Sequence, residues 1–303
     1  MDIASLMASR RDFIATLGAG ALGSMLSHHA LRQGAPPIRW GYASITWGGN
    51  DAQAIDDIAS LGFAGIQLRS NVLEHFTASR LRDLLAGRKL AFVALSSGTV
   101  RLGTTAEQRQ MIEDHVARAR FVRDAGGSYL QVIDERPAGR DFTADDIRRL
   151  GGLLTEIGKR TADLGIPLGY HNHMGAIGEK PADVERVLDA SDAVYVHLEL
   201  DIAHYYQGGG NPAEAIRRHP DRLLFLHVKD VAAVPSTSGR APGYRFVELG
   251  RGVVDVTGVV AALRDVGFSG WAVIELDSVP PSIPQRTPKE CAAISQRYVE
   301  GLR

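Results

Sequence analysis

Eight short apolar runs, separated by amphipathic helical patterns, recur along most of the chain, and that rhythm leaves few folds open. The runs are Arg39–Ile45, Gly65–Arg69, Leu90–Ser96, Tyr129–Ile133, Ile166–His171, Val194–Asp201, Leu223–Val228 and Trp271–Leu276. Helical periodicity covers Ala52–Leu61, Ala106–Ala125, Asp145–Leu164, Pro181–Leu188, Pro212–Arg218 and Val256–Val266. Glycine and proline mark the joins, as in Leu61-Gly62-Phe63, Gly126-Gly127 and Leu164-Gly165-Ile166-Pro167. Eight strand–helix units within residues 36–303 match the size of an α/β protein of the (β/α)8 TIM barrel type, as a single domain. The competing doubly wound sheet lacks its glycine signature, since no Gly-x-Gly-x-x-Gly follows an early strand. Gly208-Gly209-Gly210 reads instead as a flexible loop at the barrel mouth. The longest stretch without periodicity, Ala232–Gly250, follows the seventh strand and is expected to be a substrate-covering loop.

Composition narrows the partners. With 45% hydrophobic and 23% charged residues over 303 positions, the chain can bury a large core. A formal net charge of -1 gives no electrostatic attraction to nucleic acid or an anionic membrane. The single cysteine, Cys291, excludes an intramolecular disulfide and a cysteine-based zinc site. It reads as a helix-packing thiol.

Residues 1–35 are set apart as an export leader. Ser9-Arg10-Arg11-Asp12-Phe13-Ile14 resembles a twin-arginine signal, and the uncharged Phe13–Leu26 stretch behind it is too short to span a bilayer. Neither Ala30 nor Ala35 has a small residue two positions earlier, so no cleavage point is marked. The expectation is a periplasmic protein, carried across already folded, with no stable membrane insertion after export.

Four polar clusters end the later strands: Tyr170-His171-Asn172-His173, Glu199-Leu200-Asp201-Ile202-Ala203-His204, His227-Val228-Lys229-Asp230 and Ile274-Glu275-Leu276-Asp277. In a barrel, the C-terminal strand ends surround one pocket. His171, Asp201, His227 and Glu275 are therefore the candidate ligands of one divalent metal. Two imidazoles and two carboxylates without a thiolate suit Mn²⁺ first, with Co²⁺, Fe²⁺, Zn²⁺ or Mg²⁺ as alternatives. His173 and His204 are placed to act on substrate or water, and Lys229 to stabilise an enolate or alkoxide oxygen. Trp47 either offers a face to a sugar ring or packs in the barrel. Glu135, in Asp134-Glu135-Arg136, is either a general base or part of a solvated charge cluster.

These residues resemble the xylose-isomerase-like barrel superfamily of sugar phosphate isomerases and epimerases, and within it the inosose (2-keto-myo-inositol) dehydratase branch. The resemblance runs from Trp40-Gly41-Tyr42-Ala43-Ser44-Ile45-Thr46-Trp47 through Tyr170-His171-Asn172-His173-Met174-Gly175, Asp201-Ile202-Ala203-His204 and His227-Val228-Lys229-Asp230 to Gly270-Trp271-Ala272-Val273-Ile274-Glu275. It implies a metal quartet on strands five to eight at His171, Asp201, His227 and Glu275. Typical isomerases and epimerases of the superfamily carry a glutamate where this chain has His171, so a symmetric two-glutamate proton shuttle is in doubt.

The expected chemistry is then one-sided: α-proton abstraction from a keto-sugar by His173, His204 or Glu135, followed by β-elimination. Loss of water would make the chain a dehydratase, and loss of a glycosidic alcohol a keto-glycoside lyase. Export and the lack of a glycine-rich phosphate cradle favour a non-phosphorylated substrate. The alternative with the same metal is a keto-sugar isomerase or 3-epimerase. A barrel-type apurinic-site endonuclease conflicts with the near-neutral charge, and a non-catalytic sugar-binding protein would not need the metal. No interface signature is visible, although a homodimer accords with the resembled superfamily.

Overall fold

Strands covered by helices on one side and packed on a closed interior on the other are buried on both faces, so their sequences read as apolar runs. The computed structural model describes residues 38–235, 243–281 and 284–302, and the expected export leader with its arginine pair lies outside them. Its strands are β1 (Arg39–Ala43), β2 (Gly65–Arg69), β3 (Ala91–Val100), β4 (Tyr129–Asp134), β5 (Leu168–His171), β6 (Val196–Asp201), β7 (Leu223–Val228), β8 (Asp230–Val234), β9 (Gly243–Val247) and β10 (Trp271–Ile274). All except β8 and β9 form one closed parallel barrel, completed where β10 pairs with β1 through Arg39 opposite Trp271 and Tyr42 opposite Ile274. The architecture is the expected (β/α)8 barrel.

Among the described residues, ten helices connect the strands: α1 (Asp51–Ser60), α2 (Val72–His75), α3 (Ala78–Gly87), α4 (Thr105–Asp124), α5 (Ala144–Ala162), α6 (Pro181–Asp189), α7 (Ile202–Gln207), α8 (Pro212–Arg218), α9 (Val256–Asp265) and α10 (Pro288–Glu300). Thr104, Thr143 and Thr287 start α4, α5 and α10 with reciprocal capping boxes to Glu107, Asp146 and Glu290. Residues such as Ile55, Leu81, Val116, Leu154 and Leu263 fill the layer between helices and strands. A second cluster, with Val93, Phe225, Trp271 and Val273, forms the floor inside the barrel. Gly65 makes that floor possible: a Cβ there would lie 2.6 Å from Val93 Cγ2 and 2.7 Å from the Trp271 ring.

Two expected elements take a different form. The Arg39–Ile45 run leaves the sheet at Ala43 and tightens into a 3-10 turn over Ser44–Trp47. The Ala232–Gly250 segment is not an open loop: β8 and β9 pair as an antiparallel ribbon, with Val231 opposite Phe246 and Ala233 opposite Tyr244. The turn of that ribbon, residues 236–242, lies outside the described residues. Asp230 anchors its base by accepting the amides of Val231, Gly250, Gly252 and Val254 at 2.9, 3.1, 2.8 and 3.0 Å. Gly208–Gly210 forms the turn between α7 and α8, with Gly209 at a φ of 90°.

Candidate metal and proton-transfer site

Alternation along a strand sends every second side chain inward, so Glu199 and Asp201 of β6 face the same interior as His171 of β5 and His227 of β7. The register sets His171 opposite Glu199 and Asp201 opposite His227. Asn172 fixes the ends of β5 and β6 together: its Oδ1 accepts the Asp201 amide at 2.9 Å and its Nδ2 donates to the Asp201 carbonyl at 3.1 Å.

Asp201 divides its carboxylate between two tasks. Oδ1 accepts the amides of Ala203 and His204, at 2.9 and 2.8 Å, and so caps α7. Oδ2 is left facing the interior, 3.7 Å from His227 Nδ1 and 4.0 Å from His171 Nε2. Both Asp201 Oδ2 and His227 Nδ1 are buried without a hydrogen-bond partner. Unpartnered buried polar atoms are costly, and ligand atoms about 3.4 Å apart are what tetrahedral bonds of about 2.1 Å require. One ligand atom each from His171, Asp201 and His227 falls within 4.8 Å of the others, so these three residues fit a divalent cation.

Glu275 stands apart from that group. Its Oε1 is 3.5 Å from His227 Nδ1 but accepts a 2.6 Å hydrogen bond from Lys229 Nζ. The same ammonium lies 2.7 Å from Asp277 and 3.4 Å from Asp201 Oδ2, and Lys229 is 1% exposed. Burial opposes the charge, but Glu275, Asp201 and Asp277 hold the Lys229 pKa well above its ordinary value. Glu275 is in turn held down to about 2, against burial, by His227 and Lys229. Asp277 was legible only as a cluster member, and its pairing with Lys229 emerges from the fold. Lys229 does not pair with its neighbour Asp230, which serves the ribbon instead.

His173 and His204 lie face to face, 4.0 Å between ring centroids, and with His171 they form a second group able to hold a cation. The peptide of Met174 gives the two rings opposite hydrogen-bonding roles. Its carbonyl lies 2.7 Å from His173 Nδ1, which must therefore donate, while its amide donates to His204 Nδ1 at 3.4 Å. A neutral His173 is then left with a lone pair on Nε2, and a neutral His204 with a proton on Nε2. Burial favours the neutral form of both, lowering His173 and pushing His204 down to about 2 despite the nearby Asp201. Phe246 of the ribbon covers His204 edge-on at 5.4 Å and Lys229 at 4.6 Å.

A cavity of about 190 Å³ opens beside these groups, lined by His171, His173, His227, Glu275 and Asp277 on one side and by Gln67, Arg69, Ser96 and Gln131 on the other. Gln67 and Gln131 are buried polar residues in mid-strand, a signal that could have marked them in the sequence. Two expected residues are not brought here. Glu135 is exposed and pairs with Arg101 at 2.6 Å, while its neighbour Asp134 turns inward to accept from Tyr170 Oη and the Ile177 amide. Trp47 is buried, donates from Nε1 to Asp57 at 2.9 Å and packs edge-on against Tyr42, so it belongs to the barrel packing.

Residues 55–297 match the xylose isomerase-like TIM barrel family. The inosose dehydratase of Lacticaseibacillus casei is 24% identical over 294 residues, covering 87% of this chain and 97% of that protein. Among solved structures, the IolI protein with a bound zinc atom superposes with a TM-score of 0.73 at 16% identity, over 88% of this chain and 98% of that one. A D-allulose 3-epimerase from Methylomonas sp. superposes with a TM-score of 0.69 at 16% identity, over 88% and 99%.

Proposed function

The chain belongs to the xylose isomerase-like TIM barrel family, and on that premise we propose that it is a divalent-metal-dependent carbon–oxygen lyase that dehydrates a non-phosphorylated keto-polyol of the inosose type. The observation that carries the reading is the convergence of His171, Asp201 and His227 beside the oppositely disposed pair His173 and His204. Similarity to an inosose dehydratase along almost the whole chain supports the same direction. A divalent cation on His171, Asp201 and His227 would act as a Lewis acid toward the substrate ketone.

The chain's own groups supply the rest. His173 Nε2 takes the proton from the carbon next to the ketone. The electron pair of that C–H bond forms the new C=C bond as the β C–O bond breaks, and His204 Nε2–H protonates the departing oxygen to give water. Lys229, kept charged and held in place by Glu275 and Asp277, steadies the developing oxyanion charge. Glu275, whose Oε1 lies 3.5 Å from His227 Nδ1, would supply a fourth ligand oxygen. The nitrogen-rich set accepts Mn²⁺, Co²⁺, Fe²⁺ or Zn²⁺; Mn²⁺ is our first choice, and the zinc atom of IolI makes Zn²⁺ the first comparison. We place the protein in the periplasm on the strength of the twin-arginine leader.

The epimerase reading has one supporting observation, the shared fold with a D-allulose 3-epimerase. It needs bases on two faces of the substrate, and here the β5 position is a histidine while Glu275 is neutralised by Lys229. Incubating inosose with Zn²⁺-loaded protein in D₂O, followed by NMR, separates the two. Loss of the leaving hydroxyl with appearance of the unsaturated ketone is expected. Deuterium incorporation at the α-carbon with inverted or shifted stereochemistry and no elimination would instead establish the isomerase.

A further inference from the structure

Glu199 is a carboxylate in the barrel interior with 0% exposure and no lysine or arginine within ion-pairing distance among the described residues. Among the described residues, its close ionisable neighbours are two imidazoles: Oε1 lies 2.8 Å from His227 Nε2 and 3.3 Å from His171 Nδ1. Burying an unpaired carboxylate costs several kcal/mol, so a residue kept there needs a reason. The fold makes room for it: Gly169 faces it across β5, where a Cβ would come within 3.3 Å of Glu199 Cβ. Glu199 therefore sits opposite His171 and two residues before Asp201, level with Phe225 of β7, and it does not line the cavity.

The nitrogens that face Glu199 are the ones turned away from Asp201. His227 approaches Asp201 Oδ2 through Nδ1 and His171 approaches it through Nε2. We propose that Glu199 is the positioning residue of the metal site: it keeps the protons on His171 Nδ1 and His227 Nε2, so that His171 Nε2 and His227 Nδ1 present their lone pairs to the same point. A neutral imidazole has one N–H and one lone pair, and an acceptor at one nitrogen decides which is which. Gln67 Oε1 also accepts from His227 Nε2, at 2.8 Å, and links that ring through Gln67 Nε2 to Gln131 at 3.3 Å. His171 Nδ1 and both Glu199 oxygens are buried without a hydrogen bond of good geometry, and among the described residues Glu199 Oε1 is the carboxylate within reach of that nitrogen. The dependence on Glu199 is therefore stronger for His171 than for His227.

This inference rests on the metal-site reading above, and its test keeps the two apart. The full-length protein, labelled with ¹⁵N-histidine, is examined by two-bond ¹H–¹⁵N correlation without metal and with Zn²⁺, and Zn²⁺ affinity is measured by calorimetry. In the wild type, a proton on His171 Nδ1 and on His227 Nε2 is expected in both states. Glu199→Gln replaces the carboxylate with a weaker, neutral acceptor whose amide N–H can turn toward His171 Nδ1, so His171 should lose its Nδ1–H form and Zn²⁺ affinity should fall about 10–100-fold. Glu199→Asp keeps an acceptor and should recover part of that loss; if Glu199→Gln fails to fold, the wild-type spectrum still decides. A wild-type His171 protonated on Nε2, or unchanged tautomers and Zn²⁺ affinity in folded Glu199→Gln, overturns the proposal. A wild type with the expected tautomers that takes up no cation overturns the metal reading and leaves the role of Glu199 in orienting the rings standing.

Discussion

Lys229 Nζ lies 2.6 Å from Glu275 Oε1, so the eighth barrel position of the site is tied to the seventh by a buried ion pair. The ammonium also touches Asp201 and Asp277, and it is the cation that balances this carboxylate cluster in the metal-free protein. A cation entering beside Asp201 shares that neighbourhood with Lys229, so the lysine and the metal act on one charge cluster.

Removing the lysine should therefore be felt first in stability. Lys229→Met leaves Asp201, Glu275 and Asp277 without their shared counter-charge, and breaking a buried pair in this way costs about 3–5 kcal/mol. Denaturant unfolding in chelator is expected to show that loss, and saturating Zn²⁺ should restore part of it by binding the folded state. An unchanged midpoint in chelator would place the lysine outside the charge balance.

Asp201→Asn separates the two oxygens of one side chain. Asparagine keeps an Oδ1 able to cap α7, where the amides of Ala203 and His204 are accepted, and asparagine caps helices about as well as aspartate. It removes the Oδ2 that faces His171 and His227. Metal-free stability should fall by about 1.5–3 kcal/mol, because Oδ2 also faces the Lys229 ammonium at 3.4 Å, while Zn²⁺ affinity measured by calorimetry should fall by more than about 100-fold.

His173→Asn tests the division of labour between the stacked rings. Loss of a general base lowers turnover by about 10²–10⁴-fold, and exchange of the substrate α-hydrogen with D₂O should fall with it. With the cation on His171, Asp201 and His227, Zn²⁺ affinity should stay close to wild type; a marked fall would place the cation on the second group, His171, His173 and His204. Exchange that persists in His173→Asn would move the base to another residue.

Far from the cavity, His115 gives the fold a pH dependence of its own. It is 1% exposed, meets Ser97 Oγ at 2.7 Å through Nδ1, and is pushed down to about 4 by burial and by the Arg118 charge. The unfolded chain takes up this proton near pH 6.5 and the folded chain only near 4. Stability is therefore fully present above about pH 6.5 and falls as the pH drops toward about 4, by on the order of 3 kcal/mol. Urea unfolding of the wild type and His115→Gln across that range should show the slope in the first and its reduction in the second.

The barrel was legible in the sequence because most strands read as apolar runs and many of the joins carry a glycine or a proline. Gly65–Arg69 and Leu223–Val228 coincide with β2 and β7, and Pro212–Arg218 coincides with α8. The ribbon was not legible, since β8 and β9 draw on neither a helical period nor a buried apolar run, and Tyr244 and Arg245 face solvent. Its base depends on Asp230 reaching amides about twenty residues away. His171, Asp201 and His227 stood out because polar groups ending apolar strands are conspicuous. The pairing of Glu275 with Lys229 depends on how two neighbouring strands approach, and no spacing along the chain encodes it. Trp47 was ambiguous for the same reason: its partner Asp57 becomes its neighbour only when α1 folds back on the 3-10 turn.

The peptide of Met174 has a consequence for how such a site can diverge. The opposite roles of His173 and His204 are set by a carbonyl and an amide, which every amino acid except proline supplies at that position. Side-chain replacement at 174 should therefore be tolerated, whereas proline, or one residue inserted between His173 and Gly175, would remove or displace the amide that faces His204. The acid–base asymmetry is inherited through loop length, and it leaves no mark in residue identity.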